Sequence, residues 1–200
     1  MRNFTLLYLL LFPTLSCLKI SFNDDSSRSV RAEQKKNIVP FDIQLAGKAA
    51  TVTAASDITF QEVDAGNIKS VLQLGKKTWI YLWGSWCTPC RKKLPQMAEI
   101  YRDNPDWNIL LVSEDYNISL LQQLLFENRL YIQPYLLSSQ RYGMKTHEKA
   151  QKLWEDLAPG GTPAEGFPQN YLFDEHGTLL LYQAGSIPAE QLKEYFVLRQ

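Results

Sequence analysis

Beyond residue 40, apolar positions fall into short blocks whose spacing alternates between the two-residue period of a strand and the roughly 3.6-residue period of a helix. Phe41, Ile43 and Leu45 alternate with polar neighbours, which predicts a half-buried strand. Residues 58–61 read as another. Ile68, Val71, Leu72 and Leu74 form a helical stripe over residues 67–74, ended by Gly75 with Lys76 and Lys77 near its negative end. Residues 78–83 are almost continuously apolar and rich in aromatics, which predicts a central strand covered on both faces. A helix follows over residues 88–102, with Leu94, Met97, Ala98 and Tyr101 on one face and Pro95 inside it as a kink.

Residues 109–112 predict a second buried strand. Residues 118–128 predict a helix with Leu120, Leu121, Leu124 and Leu125 toward the core. Residues 133–137 suit a short strand or a loop. Ala150, Leu153, Trp154 and Leu157 mark a helix stopped by Pro159-Gly160-Gly161. Residues 170–173 and 179–182 flank Asp174-Glu175-His176-Gly177, a hairpin signal, and Pro188 opens a last helix with Leu192, Tyr195 and Phe196 inward. Strands alternating with helices predict an α/β fold with a parallel sheet covered on both faces. The closing hairpin adds antiparallel strands, so the expected sheet is mixed.

Residues 1–39 have a different texture. Met1-Arg2-Asn3 precedes an apolar run from Phe4 to Phe12 and then Pro13, the shape of an export signal. The run is shorter than the roughly 20 apolar residues that span a bilayer. Pro13-Thr14-Leu15-Ser16-Cys17 resembles a bacterial lipoprotein signal, in which the cysteine becomes the lipid-bearing N-terminus. Thr14 departs from that pattern, where leucine is usual. A plain cleaved signal and an uncleaved anchor are the alternatives. Residues 21–37 are polar, mixed in charge and without apolar period, which predicts a flexible tether. The expected organisation is a signal over 1–17, a tether over 18–39 and one domain over 40–200.

Composition narrows the function. The chain has 200 residues, 45% of them hydrophobic, with 21 Lys plus Arg against 21 Asp plus Glu. That balance supplies no electrostatic footprint for nucleic acid. Its three cysteines are too few for a disulfide scaffold, and Cys87 and Cys90 stand apart from Cys17. A Cys-x-x-Cys pair suits dithiol redox chemistry, a structural disulfide or half of a metal site. Zinc needs four ligands, and the chain offers only His147 and His176 besides the cysteines. A copper-delivery protein using the cysteines plus His147 or His176 is the alternative function, and a peroxide-reducing thiol is a further one. The run Arg91-Lys92-Lys93 either adds to the positive field at Cys87 or is a solvated helix face, and Trp83, Trp86, Trp107 and Trp154 read as core or site lining.

Trp86-Cys87-Thr88-Pro89-Cys90-Arg91 after a buried strand, Pro95 five residues beyond the second cysteine, and Gly166-Phe167-Pro168 before the hairpin together resemble the thioredoxin-like proteins. With the export leader, the chain looks most like their TlpA-like, membrane-anchored periplasmic branch. The resemblance implies a three-layer sandwich, a mixed sheet between helices, carrying an N-terminal extension. It implies Cys87 as nucleophile and Cys90 as resolving thiol, with Trp86, Thr88, Pro89, Phe167 and a cis Pro168 lining the site. It implies protein disulfides as substrates, an upstream thiol protein as electron donor, and no bound cofactor or metal. The Thr-Pro pair between the cysteines leans toward a reductase. Two departures stand out: the buried acid of thioredoxins is replaced by Tyr81, and the glutamate of many TlpA-like proteins by Lys93.

Overall fold

A computed structural model describes residues 36–197. The leader, Cys17 and most of the expected tether therefore lie outside the described residues. The sheet begins two residues before the expected domain boundary, with β1 (Ile38–Val39). It continues as β2 (Phe60–Val63), β3 (Thr78–Trp83), β4 (Asn108–Ser113), β5 (Pro134–Leu137), β6 (Gln169–Phe173) and β7 (Leu179–Ala184). The helices are α1 (Ala65–Leu72), α2 (Thr88–Asp103), α3 (Ile118–Glu127), α4 (Ser139–Tyr142), α5 (Thr146–Leu157) and α6 (Ala189–Val197). The strand order is β1-β2-β5-β4-β3-β6-β7. The first five of these positions run parallel to one another, while β6 is antiparallel to both β3 and β7.

Strand β3 lies in the middle because its six residues are all buried, a pattern only a strand covered on both faces needs. Trp79, Tyr81 and Trp83 project to one side, where α2, α3 and α6 bury Leu94, Met97, Leu121, Leu125, Leu192 and Phe196. Ile80 and Leu82 project to the other, against Ile68 and Val71 of α1 and Leu153 and Trp154 of α5. Each such side chain stabilises by roughly 1.5–3 kcal/mol. These are the layers of the expected sandwich.

The structure corrects several local readings. Phe41, Ile43 and Leu45 do not form a strand: Ile43–Leu45 is a turn of 3-10 helix, capped by the Asp42 carboxylate, which accepts the Gln44 N–H at 2.9 Å. The short polar side chain offers the backbone a local partner, and the ladder is not formed. In α3 the core face belongs to Ile118, Leu121, Gln122 and Leu125, with Leu120 and Leu124 only half-buried. Gln122 fits there because its amide donates to the Ile58 carbonyl at 2.8 Å. Within residues 133–137, Pro134–Leu137 is a strand, and α4 was not anticipated.

Candidate active site

The site grows from the end of β3. After Trp83 the chain turns, with the Cys87 N–H donating to the Gly84 carbonyl at 3.0 Å. A Cβ at Gly84 would stand 2.4 Å from Nε1 of Trp86, so the indole packs over the turn only because residue 84 lacks a side chain. Ser85 is fastened to the end of β4 by Asp115. The turn delivers Cys87 as the N-cap of α2, with extended backbone at φ −84° and ψ 103°. Pro89 occupies the first turn, where no amide donor is needed.

Cys87 and Cys90 are joined by a disulfide across that turn, their Cα atoms 5.2 Å apart. Cys87 is 4% exposed and Cys90 fully buried. The Cys90 N–H donates to the Cys87 sulfur at 3.2 Å. This is an unpaired amide of a helix N-terminus turned onto a sulfur, and it favours negative charge there. Thr88 and Pro89 are exposed, and Trp86 lies open at 46%.

Strand β6 brings up the opposite wall. Its first residue, Gln169, pairs with Leu82, so Pro168 sits at the sheet end from which the Cys87 turn departs. The Phe167–Pro168 bond is cis. The Phe167 ring meets Trp86 edge-on at 5.0 Å, joining the proline loop to the cysteine turn. The Pro168 carbonyl accepts the Gly185 N–H at 2.8 Å. Asn170 completes the frame: its Oδ1 accepts from Trp79 Nε1 at 3.0 Å and its amide donates to the Gly185 carbonyl at 2.7 Å.

The two substituted positions are both buried. Tyr81 donates its hydroxyl to the Cys90 carbonyl at 3.3 Å, and burial pushes its ionisation far up, so it stays a neutral donor. Arg91 and Lys92 are exposed, as a solvated helix face requires, but Lys93 is only 5% exposed. Three successive residues of a helix point about 100° apart, and the third returns to the face of Cys90.

His147 stands beside the site among rings, 6.1 Å from Trp86 and 5.9 Å from Phe167. His176 is exposed in the β6–β7 turn, its N–H bonded to the Asp174 carboxylate. Among the described residues no three His, Cys, Asp or Glu side chains gather as a metal site, so nothing favours copper delivery. No helix among them is long and apolar enough to cross a membrane. Asp115 and Asn170 were not read as part of the site and carry no local signal in the sequence; Lys93 does carry one, its three-residue step from Cys90.

No protein-family model matches the chain. The chain is 28% identical over 131 residues to the sporulation thiol-disulfide oxidoreductase A of Bacillus subtilis, covering 63% of itself and 70% of that protein. It is 26% identical over 152 residues to the thiol-disulfide oxidoreductase ResA of Bacillus anthracis, covering 74% of itself and 75% of that protein. A solved thiol:disulfide interchange protein of the thioredoxin family from Chlorobium tepidum superposes with a TM-score of 0.52 at 13% identity, over 65% of this chain and 83% of that one. In fold the chain is thioredoxin-like, and in sequence it is similar to proteins named as thiol-disulfide oxidoreductases.

Proposed function

We propose that this protein is a thiol–disulfide oxidoreductase acting on protein disulfides outside the cytoplasm, in the reducing direction. The observation that carries the reading is the Cys87–Cys90 disulfide across the first turn of α2, beside the cis Phe167–Pro168 bond. In the dithiol form, Cys87 is the nucleophile. Its thiolate attacks one sulfur of a substrate disulfide, breaking that bond and forming a mixed disulfide, and the other substrate sulfur leaves with the electron pair. Cys90, one turn on, then attacks Cys87. The Cys87–Cys90 bond re-forms and the second substrate sulfur leaves as a thiol. Two electrons have passed to the substrate, and an upstream thiol protein restores the dithiol.

Trp86, Thr88, Pro89, Phe167 and Pro168 line the approach. The exposed Trp86 and the backbone beside Pro168 offer an extended substrate segment a surface and main-chain partners. The direction rests on the Thr88-Pro89 pair, by resemblance. The leader and Cys17 support export followed by lipid attachment to a membrane, with the expected tether of residues 18–39 ending at β1.

Equilibrating the protein with defined thiol buffers tests the activity. A reversible two-electron couple near about −270 mV fits a reductase and one near about −120 mV an oxidant. No reversible couple at all sinks the proposal. Fatty-acid labelling of cells tests the anchor: label is expected on the protein and absent from Cys17→Ala, and label that survives the substitution overturns it.

A further inference from the structure

The exchange reaction leaves one buried charge on α2 unexplained, the ammonium of Lys93. Burying a lysine is costly unless its donors are matched. Here they meet neutral oxygens: the Ile187 carbonyl at 2.6 Å and the side-chain amide oxygen of Gln96. The charged group that the Lys93 field meets is Glu190 on α6, exposed to solvent. Burial pulls the Lys93 pKa down and Glu190 pulls it back up. The first effect is the larger, yet the carbonyl and amide contacts favour the protonated form.

Position gives this cation its meaning. Lys93 follows Cys90 by three residues, so the two share one buried face of α2 with Leu94 and Met97. The Ile187 carbonyl that holds the ammonium belongs to the segment following Gly185, which is bonded to both Pro168 and Asn170. The charge is thus fastened to the same frame as the proline loop. In a buried setting its field is weakly screened.

Consider reduction by glutathione. Two glutathione thiols become glutathione disulfide, the Cys87–Cys90 bond breaks, and two electrons and two protons arrive on the cysteine sulfurs. One sulfur then releases its proton to solvent and is left as a thiolate. The disulfide is neutral and indifferent to a nearby cation, whereas the thiolate is stabilised by it. We propose that Lys93 is an electrostatic positioning residue that stabilises the reduced, thiolate form of the Cys87–Cys90 pair and so raises its reduction potential. The inference rests on the oxidoreductase reading.

Lys93→Met removes the charge and keeps the length; Lys93→Gln keeps a donor; Lys93→Arg keeps the charge. Two quantities are read on each folded, reduced protein: the pH midpoint of thiolate formation, by ultraviolet absorbance and alkylation rate, and the equilibrium with glutathione. Met and Gln are expected to raise the midpoint by about one unit and move the equilibrium about tenfold toward the disulfide. Arg is expected to stay close to the wild type. Met or Gln variants that cycle with the wild-type midpoint and equilibrium overturn the inference. So does an Arg variant shifted as far as Met, because packing and not charge would then set the couple. A wild-type protein with no reversible couple defeats the oxidoreductase reading itself, a distinct result.

Discussion

The Asp115 carboxylate accepts the Ser85 backbone N–H at 2.6 Å and the Ser85 hydroxyl at 3.3 Å, tying the turn that carries Cys87 to the end of β4. The same carboxylate accepts the Asn117 N–H at 3.0 Å ahead of α3. Asp115→Ala leaves the Ser85 and Asn117 amides without this partner. A loss of about 1–3 kcal/mol is expected, read from urea midpoints of the oxidised protein. Disulfide exchange slows too, since the turn positioning Cys87 loosens. Unchanged stability and rate would show the tether to be incidental.

Cys90→Ser is expected to accumulate covalent complexes through Cys87, visible on non-reducing gels and dispersed by reductant. The step that releases Cys87 from a mixed disulfide is the one this variant lacks. Cys87→Ser is expected to form none. A clean lane from Cys90→Ser in cells that supply disulfide substrates would contradict the assigned order of attack.

Asn170 holds β3, β6 and the Gly185 turn together from a fully buried position. Asn170→Ala strands the Trp79 indole N–H and the Gly185 carbonyl. Each orphaned group costs about 1–3 kcal/mol, so a clear drop in Tm is expected by circular dichroism. A Tm within a degree or so of the wild type, against the roughly 2–4 °C per kcal/mol expected at this size, would mean that water replaces the lost amide.

Glu114 gives stability an unusual pH dependence. The residue is 1% exposed, and its carboxylate lies close to the Ala150 amide and the Lys149 charge. Burial raises its pKa from 4.5 to about 8, with the nearby Lys149 charge opposing. The folded state therefore holds this proton more tightly than the unfolded chain. Its contribution is full below about 4.5 and lost as pH climbs toward about 8. Urea midpoints are expected to fall across that window in the wild type and to fall less in Glu114→Gln. Parallel slopes for the two proteins would remove Glu114 as the cause.

The sequence made the centre of the fold more legible than its surroundings. Strand β3 has the predicted bounds because six buried residues in a row leave few other structures available. The cysteine turn and the proline loop were legible because each carries residues with a narrow conformational use. Lys93 was only half legible: three basic residues in a row suit either solvent or a field at Cys87, and the helical period turns just the third inward. Residues 43–45 show the opposite error, where alternation suggested a strand and a local cap on Asp42 gave the backbone another partner. Asp115 and Asn170 were invisible because their partners lie 30 and 91 residues away in sequence.

The sheet is closed on one side by β1, only two residues long, pairing Ile38 with Phe60 and Val39 with Gln61. A chain cut to begin at the expected domain boundary, residue 40, would lack that cover. Strand β2 would then present an open row of amides and carbonyls next to the apolar Phe60 and Val63, a template for edge-to-edge association between molecules. Soluble fragments for biochemical work should therefore start before Ile38, and a fragment starting later is expected to self-associate.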